Sequence, residues 1–211
     1  VVSGSGNVAM HAIEKLQTLG AKVVAASDSS GTVHDPAGID LTLLRQVKEV
    51  EHARISAYAA RQRGATFMQG ATPWAIECDI AMPCATQNEL DGAAARTLVA
   101  NGCVAVVEGA NMPCTVDAID ALQAAGVGFG PAKAANAGGV AVSGLEMQQN
   151  ASRETWTFEE TDGRLASIME TIYTTCRDTA DRYDRPGNLL VGANIAGFVK
   201  VADAMLAQGV T

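Results

Sequence analysis

Aromatic side chains are scarce in this chain, at 4 % of 211 residues, although apolar residues as a whole reach 48 %. That apolar content excludes a disordered chain and suffices for a large core. The core must be assembled from small side chains, chiefly Ala, Val and Gly, which let helices lie close on a buried parallel sheet. Basic residues are also few: fifteen Lys and Arg face 23 Asp and Glu, a net charge of −8. Nucleic acid and anionic membrane surfaces both call for a basic face, so neither is expected as a partner. The five cysteines (Cys78, Cys84, Cys103, Cys114 and Cys176) include no C-x-x-C pair. Without metal-type Cys or His spacing they read as reduced thiols in a cytoplasmic setting, and no metal site is expected. No apolar run approaches the roughly 18 residues of a membrane span. Signal peptide and initiator Met are both lacking, and the chain begins inside an apolar stretch, Val1-Val2. It reads as a piece of a longer protein.

Apolar runs alternate with helical patterns, the mark of βαβ units around a parallel sheet. Val1-Val2 reads as the end of a first strand, and Val8, Ala12, Ile13, Leu16 and Leu19 as a helical stripe closed by Gly20. A second strand is expected over 21–27, a turn-rich connection over 29–40, and one long helix over 41–63 that Gly64 ends. Further strands are expected at 66–69, 79–82, 104–107 and 127–129, with helices at 89–100 and 115–125, the latter capped by Thr115. The character changes after residue 150, and the last helix carries apolar positions at Ile195, Phe198, Val199, Ala202, Met205 and Leu206. If that stripe packs on a neighbour outside this chain, Ile195, Phe198 or Met205 is exposed here. The expected organisation is a nucleotide-binding domain over 1–150 and a helical extension over 151–211.

The loop Gly4-Ser5-Gly6-Asn7-Val8-Ala9 follows a strand and opens a helix, and the next strand ends in Asp28, about 20 residues on. Gly4 permits the tight turn, Gly6 lets the backbone approach a pyrophosphate, and Ala9 permits close helix–sheet packing. The helix that follows aims free N–H groups and its positive end at phosphates. A glycine turn with no ligand is the plainer alternative. In this context the pattern predicts an α/β fold of the Rossmann-like, doubly wound kind, a mostly parallel sheet with helices on both faces and extra C-terminal helices. Cofactor choice stays open at this level. Asp28 suits the 2′-hydroxyl of NAD(H), whereas Ser29 and Ser30, with Lys48, His52 and Arg54 on the following helix, suit the 2′-phosphate of NADP(H). Those cations also fit a solvated helix face.

Later stretches carry a more specific signal. Pro83-Cys84-Ala85-Thr86-Gln87-Asn88-Glu89-Leu90, Glu108-Gly109-Ala110-Asn111-Met112-Pro113, Ala134-Ala135-Asn136-Ala137-Gly138-Gly139-Val140 and Ser143-Gly144-Leu145-Glu146-Met147 occur in that order. With the glycine loop, Ser27-Asp28-Ser29-Ser30-Gly31 and the closing Ala193-Asn194-Ile195-Ala196-Gly197-Phe198, they resemble the glutamate dehydrogenase family, in its NADP-dependent hexameric branch, over essentially the whole chain. The resemblance implies a cofactor site formed by Gly4, Ser5, Gly6, Asn7, Val8, Asp28, Ser29, Lys48, Arg54, Ala85, Thr86, Gln87, Asn111 and Asn136. It implies that Val140 and Ser143 reach the substrate, with Ser143 donating to the distal carboxylate of glutamate. For Ser143 the plainer fate is a hydroxyl bonded back to its own helix.

The implied reaction is the reversible oxidative deamination of L-glutamate to 2-oxoglutarate and ammonia, with NADP(H), or NAD(H), carrying the hydride. In that family the catalytic lysine and aspartate come from an amino-terminal domain that this chain does not include. No catalytic residue is therefore assigned here, and the chain is expected to bind cofactor without turnover. A homohexameric parent is an implication of the family. Two other readings are a related dehydrogenase acting on leucine or phenylalanine, and a non-catalytic dinucleotide-binding module. Ser143 favours a substrate with a carboxylate-bearing side chain over an apolar one.

Overall fold

The computed structural model describes residues 1–209. It divides into two compact units, Val1–Gly128 and the chain from Phe129 on.

In the first unit Val1 and Val2 form a central rung. The Val2 N–H donates to Ala25 O at 3.1 Å, and two residues further along both chains the Ser27 N–H donates to Gly4 O at 3.3 Å, the stagger of a parallel pair. On the other side the Ser3 N–H donates to Met82 O, and the Met82 N–H to Val1 O. The loop after this rung enters helix α1 (Asn7–Thr18), which buries Ala9, Met10 and Ile13 on one face. Strand β1 (Ala25–Asp28) follows, buried through its first three residues.

The stretch expected as a connection over 29–40 contains a strand, β2 (Gly31–His34), antiparallel to β1 with Ala25 opposite His34. Its shortness, its opening Gly31 and the nearby Pro36, which read as turn residues, conceal it in the sequence. The helix expected over 41–63 is also corrected. Helix α2 (Leu41–Arg45), capped by the Asp40 carboxylate, widens into a π-turn at Gln46–Val50. A reversal follows at His52 (φ 50°), and then the short helix α3 (Ser56–Ala59). Leu44, Val47, Ile55 and Tyr58 are all fully buried, so the apolar periodicity belongs to three pieces folded onto one core. Strand β3 (Thr66–Gln69) then pairs antiparallel with β2.

Strand β4 (Ile80–Ala81), helix α4 (Gly92–Ala100), strand β5 (Ala105–Val107) and helix α5 (Val116–Ala124) form the next alternation of strand and helix. β4 and β5 are parallel, with Ile80 opposite Ala105. Asp91 and Thr115 cap α4 and α5 by accepting from Ala94 and Ala118 N–H groups. Gly128, which opens strand β6 (Gly128–Gly130), donates to Val104 O at 3.0 Å. The fold is thus α/β and parallel through its centre, as expected, and the antiparallel margin formed by β2 and β3 adds to that expectation.

The second unit contains helices α6 (Ala132–Ala135), α7 (Gly138–Ser152), α8 (Phe158–Arg182) and α9 (Leu189–Gln208). The composition change at residue 150 falls inside α7. The contact boundary lies earlier because α7 rests on α8: a side chain at Gly138 would stand 3.5 Å from Leu165 Cδ1 and 3.7 Å from Met169 Sδ. Thr157 and Glu160 form a reciprocal capping box at the start of α8. Helix α9 is 20 residues long with a mean hydropathy of 1.6 across its most apolar window, enough by length and composition to cross a membrane. That corrects the expectation that no run approaches a span. Asn194, Lys200 and Asp203 break the run into pieces, and the surrounding apolar residues keep its mean high. Phe198 and Met205 are 71 % and 51 % exposed.

Candidate functional site

The strand ends of the first unit converge at the glycine loop. Gly4 sits at φ +86°, and a Cβ there would stand 3.2 Å from both Ala85 Cα and Cys84 O, so only glycine fits the turn against the 83–88 loop. Gly109 is as confined, since a Cβ would meet Cys84 Sγ at 2.5 Å and Val8 Cγ1 at 3.3 Å. Gly6 is different: a Cβ there would project into open space, the side from which a ligand can approach.

Helix α1 follows its N-cap Gly6 with no side-chain cap, and α3, α6 and α7 likewise lack one, whereas Asp40, Asp91, Thr115, Thr157 and Asn188 cap their own helices. The exposed Gly6, Asn7 and Val8 thus present a helix start with backbone donors and no protein anion. Ser5, the residue before them, is buried at the loop's base.

A polar network not anticipated from sequence holds the loop. The buried Ser27 hydroxyl accepts from Gly4 N–H at 2.8 Å, and the buried Ser3 hydroxyl from Cys84 N–H at 2.9 Å. Glu89 reaches back to accept from Ala85 and Thr86 N–H groups at 2.9 and 3.3 Å, and it also bonds Ser3. Burial raises the Glu89 pKa despite those bonds. The signal that could have found Glu89 is a carboxylate three to four residues past an exposed, donor-bearing turn.

Asp28 is committed within the protein. Its carboxylate accepts from Ser30 N–H and hydroxyl, from Ile55 N–H at 2.8 Å, and from Lys48 Nζ at 2.9 Å. Its side chain is only 8 % exposed and that of Lys48 17 %. Burial alone would raise the Asp28 pKa; bonds from Ser30, Ile55 and Lys48 outweigh it and bring the value from 3.8 to about 2. Lys48 also donates to Ala53 O. One position further out, Arg54 Nη1 donates to Ser29 Oγ at 2.6 Å, and both residues are exposed. The aspartate at the strand end is neutralised by a lysine, and a hydroxyl–guanidinium pair faces solvent beside it.

A depressed carboxylate pKa contributes stability that is complete above the unfolded value and lost as pH falls through the folded one. For Asp28 that window runs from about pH 4 to about pH 2. After allowance for solvent screening the contribution is about 1–2 kcal/mol. Asp28→Asn is therefore expected to reduce the stability lost between those pH values by that amount, read as the difference between variant and parent urea midpoints.

Ala85, Thr86 and Gln87 are exposed on the loop after β4, and Asn111 is exposed on the loop after β5, so both amide-bearing stretches stand at the same sheet edge as the glycine loop. In the second unit Asn136 ends α6, and Val140 and Ser143 are exposed on the first turns of α7. The Ser143 hydroxyl donates to Gly139 O at 3.1 Å, the back-bonded arrangement. The second unit therefore carries a donor–acceptor set of its own.

The residues present fit a dinucleotide: an uncapped helix start beside two glycines for a pyrophosphate, a hydroxyl and guanidinium at the strand end, and amides along the next two strand ends.

Comparison with known proteins gives the same direction. The profile of the Glutamate/Leucine/Phenylalanine/Valine dehydrogenase family matches residues 1–209. The NADP-specific glutamate dehydrogenase of Salmonella typhimurium is 57 % identical over 212 residues, covering 99 % of this chain and 47 % of that protein. The NAD(P)-specific glutamate dehydrogenase of Xylanibacter ruminicola is 51 % identical over 213 residues, covering 100 % and 48 %. Among solved structures, Plasmodium falciparum glutamate dehydrogenase superposes with a TM-score of 0.96 at 45 % identity, over 100 % of this chain and 46 % of that one. The chain spans about half the length of the relatives it matches.

Proposed function

Because this chain belongs to the Glutamate/Leucine/Phenylalanine/Valine dehydrogenase family, we propose that it is the cofactor-binding half of an NADP-dependent glutamate dehydrogenase. The whole enzyme interconverts L-glutamate with 2-oxoglutarate and ammonia, works in the cytoplasm and assembles as a homohexamer. The observation that carries the cofactor assignment is the pairing of Asp28 with Lys48. An ionised, unpaired aspartate would repel a 2′-phosphate, but this one is neutralised in place, which leaves Ser29 and Arg54 to receive the phosphate oxygens.

In this reading the N–H groups at the start of α1, with Gly4, Ser5 and Gly6, hold the pyrophosphate, and Asn7 and Val8 line its approach. Ala85, Thr86 and Gln87 support the ribose and nicotinamide end. The Asn111 amide offers the carboxamide both a donor and an acceptor, and Asn136 is an amide of the same chemistry in the helical unit. Val140 and Ser143 meet the substrate, Ser143 by exchanging its bond to Gly139 for one to the distal carboxylate. Bound NADP(H) supplies the hydride acceptor or donor; the residues of this chain bind and orient it. The general acid–base groups lie in the part of the enzyme beyond this half, so the chain by itself is inactive toward glutamate.

Titration of the purified chain with NADPH and NADH, followed by nicotinamide fluorescence at one ionic strength, tests the assignment. Tighter NADPH binding with no glutamate-dependent NADPH production is expected. Tighter NADH binding would mean that Asp28 leaves Lys48 to take the ribose diol. Sustained turnover would place the acid–base groups in this half.

A further inference from the structure

Cys78 and Cys103 lie just ahead of β4 and β5, at the end of those strands opposite the glycine loop. The parallel register sets Ile80 opposite Ala105. Cys78 and Cys103 each stand two residues before that pair, and Cys103 Sγ comes 3.5 Å from the carbonyl oxygen of Asp79, the residue after Cys78. Neighbouring strands run about 4.8 Å apart, within the Cα separation of about 4.4–6.8 Å that a disulfide needs. The two thiols perturb each other's ionisation, raising Cys78 and lowering Cys103, with Cys103 Sγ resting 3.2 Å from Ala105 O. Cys103 is buried and Cys78 half-buried.

We propose that Cys78 and Cys103 are a redox modification site, closing to a reversible intramolecular disulfide between β4 and β5 when hydrogen peroxide is the oxidant. The ionised sulfur of the pair attacks one peroxide oxygen, the O–O bond breaks, and a sulfenic acid and hydroxide result; the hydroxide leaves as water with the thiol proton. The second sulfur then attacks the sulfenic sulfur, the S–O bond breaks, and a second water departs. Two electrons pass from the two sulfurs to the peroxide. The neighbouring Cys78 lowers the Cys103 thiol, which supplies the nucleophile. Burial pushes the Cys84 thiol up to about 12 and raises those of Cys114 and Cys176, so these three remain protonated.

The test treats the full chain with hydrogen peroxide, alkylates it under denaturing conditions and measures intact mass and a non-reducing peptide map. Alkylatable thiols should fall from five to three, with the Cys78 and Cys103 peptides joined, the protein still monomeric by denaturing mass, and five thiols restored by dithiothreitol. Cys78→Ser and Cys103→Ser should each abolish the cross-link. Should the buried Cys103→Ser variant fail to fold, Cys78→Ser at the more exposed position carries the comparison. Five thiols remaining, a different pair, or Cys78 oxidised to sulfinic acid with Cys103 free would each overturn the proposal.

Discussion

Gly192→Ala is expected to destabilise the helical unit by about 2 kcal/mol or more. Helix α9 crosses α8 so closely that a Cβ at Gly192 would stand 1.8 Å from Cys176 O and 2.7 Å from its carbonyl carbon. Cys176, Ala180, Gly192 and Ala193 are all buried at this crossing. Two effects oppose each other. Alanine is the better helix former by about 1 kcal/mol, whereas overpacking costs about 1–3 kcal/mol and sits at the upper end when the obstacle is backbone. A carbonyl cannot rotate away as a side chain could, so the clash wins and the helices must separate. Gly197 on the same helix has nothing within 4 Å of its Cβ position, and there alanine should stabilise by about 0.5–1 kcal/mol. Urea melts followed by far-ultraviolet circular dichroism compare the two. Equal midpoints for both variants would show that the crossing is looser than described.

That crossing was not legible in the sequence. Periodicity marks α8 and α9 as helices, but Gly192 reads as a weak helix former until Cys176 is placed beside it. The contrast with the glycine loop is instructive. Gly4, Gly6, Val8 and Ala9 are spaced by the local path of the chain, and the strand–loop–helix arrangement followed from the residues themselves. So did β5, α5 with its Thr115 cap, and α9. Over 29–63 the structure departs from the sequence pattern, with β2 inside the turn-rich connection and α2, a π-turn and α3 in place of one long helix. The apolar spacing there was real, since Leu44, Val47, Ile55 and Tyr58 are all buried, but the π-turn and the reversal at His52 are set by partners distant in sequence. Lys48 turns in to Asp28 and Ala53 O, and Ile55 N–H turns in to the same carboxylate. Local propensity gave way where the candidate 2′-phosphate site is built, as expected where tertiary demands override it. Lys48 and Arg54 were named as candidates from their chemistry. Their division of labour, one neutralising Asp28 and one reaching Ser29, required the structure.

That division makes the second large effect. Arg54→Ala should weaken NADPH binding roughly 10- to 100-fold, because a charge-assisted bond to a phosphate contributes about 1.5–3 kcal/mol. NADH binding should be nearly unchanged, since it has no 2′-phosphate for Arg54 to meet. The ratio of the two dissociation constants is the readout, as a loss of folding would weaken both together. Arg54→Lys keeps the charge but not the planar fork, so only part of the preference should return. Added salt should erode the preference of the parent protein, because Arg54 and Ser29 are exposed and their attraction for a phosphate is screened. Lys48→Met must behave differently. It leaves Asp28 ionised beside the site with Ser30 and Ile55 as its remaining partners, so NADPH is repelled and the free carboxylate can turn to the ribose diol of NADH. NADPH affinity should fall while NADH affinity holds or rises, and stability should drop as well, because a partly buried charge has lost its counter-ion. If Arg54→Ala lowered both affinities equally, or if Lys48→Met left the ratio unchanged, the Asp28–Lys48 pair would be structural only and the phosphate would have to be held elsewhere.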